Sequence, residues 1–350
     1  MASELQPLYD SVHLFKNEGD KLVDYKFDPA NPWEGHPTTC AEEERKPSAT
    51  SETPIKNLIT TGPAVEAVQN ISQLKHRMDD ETTLCLMHNG LGVAEQINET
   101  VLNEDADAKP EYVLGHIDRK HIMREPRGRS LDRPPSGNTR GLIHVHPDLT
   151  ARFTPIDPAQ SRPPKESPLA SQLVDTLRPS PNLHAQLTPF HAWLHIKLHA
   201  MIITSAVDPV CAIVGCRYDE LPSIKWGMNL MMMLLDEIQR VVAALPEVHN
   251  SPRIRAMVEK ETLRKACVYK LTSMKPKTSA NMASLIERGQ LVDVDSFNGY
   301  FVRRGKQLGV DCPHNEMVVA MIKARHGMRK KELEREVPFE VTSRPHRGSY

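Results

Sequence analysis

The 350 residues suffice for two domains of ordinary size, and 39% hydrophobic content supports a packed core. Only 5% aromatics and as many as 28 prolines suggest that long loops interrupt that core. A formal net charge of −1 gives no reason to expect wholesale binding to nucleic acid or membrane.

No apolar run reaches the roughly 18–20 residues a membrane helix needs. The Met-Ala-Ser-Glu start is neither a signal peptide nor an Arg-rich transit sequence, so the reading is a soluble intracellular protein. Six cysteines, at 40, 85, 211, 216, 267 and 312, form no Cys-x-x-Cys pair and read as buried free thiols in a reducing compartment.

In chain order, residues 11–15 alternate apolar and polar side chains and read as a short strand. The stretch from 28 to 54 is dense in Pro, Glu, Ser and Thr and reads as a solvated insertion. A strand is expected over 57–61, a helix over 64–78 from the spacing of Val65, Val68, Ile71 and Leu74, and a strand over 82–87. The last of these runs into His88-Asn89-Gly90-Leu91-Gly92, followed by a helix over 93–102. Strands alternating with helices point to a parallel α/β sheet. Between 109 and 189 the pattern is weak: 112–116 and 141–146 read as strands, 124–139 and 155–168 as loops, 169–177 as a short helix.

After Pro189 the pattern is helical. Helices are expected over 190–207, stopping at Asp208-Pro209, then over 209–216, 226–245 with a methionine-rich face, 252–271, 282–288, 295–308 and 315–324. The chain divides into an α/β region at 1–185, an all-helical domain at 186–325 and a basic tail at 326–350.

The helical half resembles a known family. Gly289-Gln-Leu-Val-Asp293-Val-Asp295-Ser-Phe-Asn298-Gly299-Tyr300 is similar to the G-R-x-T-E-I-D-x-x-N-G-Y signature of ketopantoate reductases. Gly309-Val-Asp-Cys-Pro313-His-Asn315 matches the P-x-N ending that follows it. Upstream, Asp208-Pro209 and Gly215-Cys-Arg-Tyr-Asp-Glu-Leu221 resemble the N-P and G-C-x-N-G-E-L elements, and Asn89-Gly90-Leu91-Gly92 resembles the N-G-x-G turn. The resemblance implies an α/β Rossmann-type first domain and an all-α second domain of the 6-phosphogluconate dehydrogenase-like type. It also implies NADPH-dependent reduction of 2-dehydropantoate to pantoate, in the cytoplasm or a mitochondrion.

The residues fit that chemistry unevenly. The family's G-x-G-x-x-G phosphate turn occurs nowhere in the sequence, so the chain reads as a degenerate or N-terminally truncated member, beginning inside the helix after the turn. Residues 11–15 would then be the family's second strand, with Lys16 placed to meet a 2′-phosphate and Asn89 and Gly90 left as cofactor contacts. The catalytic lysine falls at Ala200 in ungapped register, and the nearest candidate is Lys197, one turn away. The family's two asparagines become Thr204 and Asp208, its substrate serine Asn281, and its glutamate Asp293.

Two readings follow. One is a keto-acid reductase, with Lys197 and Asp293 catalytic, Asn281, Thr204 and Asp208 on a small keto-acid substrate, and NADPH on Asn89, Gly90 and Lys16. The other is a non-catalytic scaffold on the reductase fold, serving a protein or RNA partner in organellar gene expression. A homodimer suits either. His191, His195 and His199 share one helical face, which reads as a polar face, with no metal site expected. The segment 323–331 is basic without interleaved aromatics and reads as a solvated helix end, or as a phosphate contact for RNA or a contact for an acidic partner.

Overall fold

The computed structural model describes residues 54–102, 109–117, 149–180, 183–249 and 251–336, and the backbone of four short strands outside these ranges. The strands in chain order are β1 (His13–Glu18), β2 (Lys21–Lys26), β3 (Asn57–Thr60), β4 (Thr83–Leu86), β5 (Glu111–Ile117), β6 (Ile122–Arg124), β7 (Ile143–Val145), β8 (Thr150–Ile156) and β9 (His184–Leu187). One five-stranded sheet has the order β3-β4-β5-β8-β9, parallel through β5, with β8 antiparallel to β5. β1 pairs with β2, and β6 with β7, in separate antiparallel hairpins. The strand expected over 11–15 is therefore not a member of the main sheet. The insertion expected over 28–54, all but Pro54, and the side chain of Lys16 lie outside the described residues.

Three helices cover the sheet: α1 (Ala64–Leu74), α2 (Val93–Thr100) and α3 (Pro168–Leu177). Successive strand residues point to opposite faces. Leu84, Leu86, Tyr112 and Leu114 accordingly join the core under α1 and α2, while Cys85 and Val113 pack against Leu173 and Val174 of α3. β8 and β9 were not expected from the sequence. Thr, Arg and Pro interrupt the alternation of β8, yet Ala151, Phe153 and Ile156 are buried.

The second domain holds α4 (Phe190–Val214), α5 (Lys225–Ala244), α6 (Pro246–His249), α7 (Pro252–Met257), α8 (Lys260–Ser273), α9 (Asn281–Glu287), α10 (Asn298–Leu308) and α11 (Pro313–Glu336). Strands followed by an all-helical half agree with the Rossmann-type plus all-α arrangement the resemblance implies. α11 carries the helix eleven residues into the segment set apart as a tail. The single helix expected over 252–271 is two. The break falls at Val258-Glu259, where Gln239 Nε2 donates to the Val258 carbonyl at 2.8 Å.

α4 corrects a second expectation. It does not stop at Asp208-Pro209 but passes through Pro209 to Val214. An interior proline removes the N–H that would bond the carbonyl four residues back, and this usually breaks a helix. Here Asn298 Nδ2 donates to that carbonyl, on Ser205, at 2.9 Å. The same amide nitrogen donates to Asn315 Oδ1 at 2.9 Å, and Asn315 Nδ2 donates to Glu237 Oε2 at 2.7 Å. The Glu237 carboxylate also accepts the His314 and Asn315 amide N–H groups at 3.0 Å each, satisfying donors at the start of α11. The most recognisable part of the sequence, Asn298 through Asn315, thus builds a buried ladder that holds α4, α5, α10 and α11 together. α4 is long and apolar enough to cross a membrane, but 67% of its most apolar window is buried inside the fold.

Candidate interdomain site

β3 and β4 are parallel, and their carboxyl ends open onto the crevice where ligands bind in open α/β sheets. His88 follows β4 and is almost fully buried. Its ring bonds Thr60 Oγ1 at 2.8 Å and the Gly62 carbonyl at 3.0 Å, joining the two strand ends. Burial depresses its pKa; the Gly62 carbonyl opposes that shift and the Lys197 charge adds to it. α4 crosses this point with Trp193, Leu194 and Lys197 facing in.

Lys197 is only 2% exposed, so this lysine is part of the interior. Its ammonium donates to the His88 carbonyl and lies 5.6 Å from the centre of the Trp193 ring. Ala200, at the family's lysine position, is exposed. Asp293 also spans the domains: Oδ1 accepts the Ala64 N–H at 2.7 Å, at the positive end of α1. Gly90 is pressed onto the helical domain. A Cβ there would stand 2.3 Å from the Ser296 Cβ, and the neighbouring Leu91 N–H donates to the Ser296 carbonyl at 3.1 Å. Asn89 is half-buried on the same turn.

Asp208 and Asn281 gather elsewhere. Asp208 Oδ1 accepts from Tyr218 Oη at 3.0 Å and from Lys270 Nζ at 2.6 Å, and the Asn281 N–H donates to Tyr218 Oη at 3.4 Å. Asp208 lies eleven residues after Lys197 on α4, about 16 Å at the usual helical rise of about 1.5 Å per residue. Thr204, between them, is half-buried. One small substrate cannot meet both the amine and the distal pair. Lys270 and Tyr218, which hold Asp208, were not foreseen from the sequence, and neither were His88 and Ser296. Only the position of His88 beside the Asn89-Gly90 turn could have pointed to it.

A carboxylate cluster completes the interface. Ser161 Oγ donates to Glu95 Oε1 at 3.2 Å, and Arg304 Nη2 bonds both Glu247 oxygens at 3.0 Å. Burial raises the Glu95 pKa. The cavity between the domains, lined by His88, Gly90, Trp193, Lys197, Glu95 and Tyr300, measures about 30 Å³. That is space for more than one ordered water at the foot of a crevice that opens to solvent. Among the described residues no glycine-rich turn offers N–H groups to a diphosphate, and the space Gly90 could give a cofactor holds Ser296. Among the described residues, the turn at Gly90 therefore offers no cradle for a dinucleotide's diphosphate. Among the described residues no group of His, Cys, Asp and Glu is arranged to hold a metal ion, the three histidines of α4 included.

A Rossmann-type sheet joined through such a crevice to an all-helical domain is the architecture of nicotinamide-dependent keto-acid reductases. The ketopantoate reductase PanE/ApbA model matches residues 26–121, and the model of its C terminal matches residues 192–326. The chain belongs to the ketopantoate reductase family. It is 21% identical over 306 residues to the cytochrome B translational activator CBS2 of Saccharomyces cerevisiae, covering 80% of this chain and 76% of that protein. It is 29% identical over 130 residues to 2-dehydropantoate 2-reductase of Aquifex aeolicus, a match covering 36% of this chain and only 38% of the reductase. In fold it resembles the dimeric ketopantoate reductase of Staphylococcus aureus, with a TM-score of 0.55, 14% identity, and 79% and 80% of the two chains covered. It also resembles a D-mandelate dehydrogenase solved with NADH and anilino(oxo)acetate, with a TM-score of 0.54, 15% identity, and 94% and 89% covered.

Proposed function

We propose that this chain is a non-catalytic member of the family, a two-domain body that serves a protein or RNA partner in mitochondrial gene expression. The observation that carries the reading is the engagement of Lys197 and Asp293 in bonds that join the domains. A general acid contributes about 10²–10⁴-fold only when aimed at the reacting oxygen, and Lys197 donates to a backbone carbonyl instead. The match to a translational activator along 80% of the chain supports the same reading, and with it the mitochondrion as compartment.

The test is deletion of the gene in its host with two readouts. The expected result is loss of an organelle-encoded protein with no requirement for added pantothenate. A pantothenate requirement relieved by this chain would contradict it.

One observation favours a second reading, a residual NADPH-dependent reductase acting on a small 2-keto acid. Lys197 is a buried amine beside Gly90 at the mouth of β4, with Asp293 on the same interface. The pantothenate readout separates the two. In either case a homodimer is the assembly we propose, and light scattering of the purified chain checks it.

A further inference from the structure

The segment from Arg253 to Lys277 carries eight Lys and Arg against two Glu. Three of the cations are paired: Lys260 with Asp236 at 3.1 Å, Arg264 with Glu261 at 3.9 Å and Lys270 with Asp208 at 2.6 Å. The other five are exposed, and among the described residues none has a carboxylate within ion-pair distance. Two large aromatic side chains stand out in solvent nearby, Trp226 at 76% and Tyr269 at 72% exposure.

Trp226, Tyr269, Lys275 and Lys277 lie towards one end of the helical domain. Lys260, at the start of α8, reaches Asp236 well inside α5, whereas Lys270, near its other end, reaches Asp208, which Tyr218 also bonds just ahead of the turn that leads into α5. α8 therefore runs antiparallel to α5 and brings its last turns to the Lys225-Trp226 start. The chain after α8 stays there: the Lys277 N–H donates to Asp219 Oδ2 at 3.3 Å, and the Tyr218 N–H donates to the Thr278 carbonyl at 3.2 Å. Lys265 and Tyr269 share a face of α8, four residues apart. The Lys225 ammonium lies 5.6 Å from the centre of the Trp226 ring. Carboxylates described at this end are already paired, Asp208 with Lys270 at 2.6 Å, and Asp219 and Glu220 with Arg217 at 3.4 and 2.5 Å.

Exposed rings set among uncompensated ammonium groups match the needs of a single-stranded nucleic acid. Bases stack on the rings whatever their identity, and phosphates replace counterions on the lysines. An acidic protein would meet the cations, but a nucleic acid offers both a phosphate for each cation and a flat base for each ring. We infer that this end of the helical domain is a contact surface for single-stranded RNA, with Trp226 and Tyr269 as stacking platforms and Lys265, Lys275 and Lys277 on the phosphates. The inference deepens the proposed role in gene expression and rests on it.

The test is fluorescence anisotropy of the full chain with a labelled oligouridylate of about 20 nucleotides, long enough to exceed the ~4–16-nucleotide sites of known single-strand binders. Trp226→Ala and Tyr269→Ala are each expected to weaken binding by about 5–150-fold, the range of one lost stack. Lys275→Ala with Lys277→Ala is expected to flatten the slope of log affinity against log salt by about 1.4, at about 0.7 per phosphate contact. Lys330→Ala with Lys331→Ala, on the basic end of α11, serves as the control and is expected to change little. Wild-type binding that the ring variants leave intact would overturn the surface while sparing the proposed role. Failure of the wild type to bind RNA, or equal binding of polyglutamate, would overturn the inference. The pantothenate readout judges the non-catalytic reading separately.

Discussion

Among single side chains, Lys197 sets the character of the interface. A buried ammonium held by the His88 carbonyl and flanked by the Trp193 ring is part of the core. Lys197→Ala removes a long buried side chain and strands an acceptor, so it should cost about 2–4 kcal/mol in urea unfolding. A loss below about 0.5 kcal/mol, typical of a surface change, would contradict the packing.

His88 adds a pH signature. Its pKa is depressed from the ordinary 6.5, chiefly by burial, so the unfolded chain takes up the proton more readily. Its contribution to stability is intact above the unfolded value and drains as pH falls below it. Urea midpoints should fall from neutral pH to about pH 5.5, and His88→Gln should make that slope shallower. An unchanged slope would remove His88 from the account. Neither feature was legible in the sequence. A lysine one turn from the family's position reads as solvated until the strand end that meets it is known, and the carbonyl that receives it carries no sequence signal at all.

At the scale of elements, the sequence was clear where the physics is local. The Ala64–Leu74 helix and the Thr83–Leu86 strand follow from periodicity, and the Asn298–Asn315 motif marked the helical domain. It misled at Pro209, because the donor that lets α4 continue comes from Asn298, 93 residues away. Propensity cannot contain such a term. Asn298→Ala should cost about 2–4 kcal/mol by stranding the Ser205 carbonyl and the Asn315 side chain. Pro209→Ala restores the missing N–H, so the Asn298→Ala penalty should shrink in that background by about 1 kcal/mol or more. Strict additivity of the two substitutions would refute the link. Asn298, Asn315 and Glu237 hold the fold whether or not anything is reduced.

For the whole molecule, the decisive feature is that one hydrophobic cluster runs through both domains. Leu86, Leu91 and Val93 of the sheet domain lie in the same packed body as Trp193, Leu198 and Tyr300. Asp293, Lys197 and the Leu91–Ser296 pair add polar bonds across the join. The chain should therefore unfold in a single calorimetric transition, with matching calorimetric and van't Hoff enthalpies. Two resolved transitions would mean that the crevice is a hinge and not a clamp. A clamp of this kind suits a scaffold, since catalysis in a two-domain reductase needs a crevice that admits a cofactor. The crowding of the crevice by Ser296 and Trp193 emerged only from the packing.

The central claim is that the amine and the carboxylate at the interface join domains and do no chemistry. Its most direct test is a titration of the purified chain with NADPH, followed by nicotinamide fluorescence, with and without 2-dehydropantoate. Neither saturable binding in the micromolar range nor oxidation of the nucleotide is expected. Saturable binding with turnover that Lys197→Ala abolishes, in a variant still folded by circular dichroism, would contradict it.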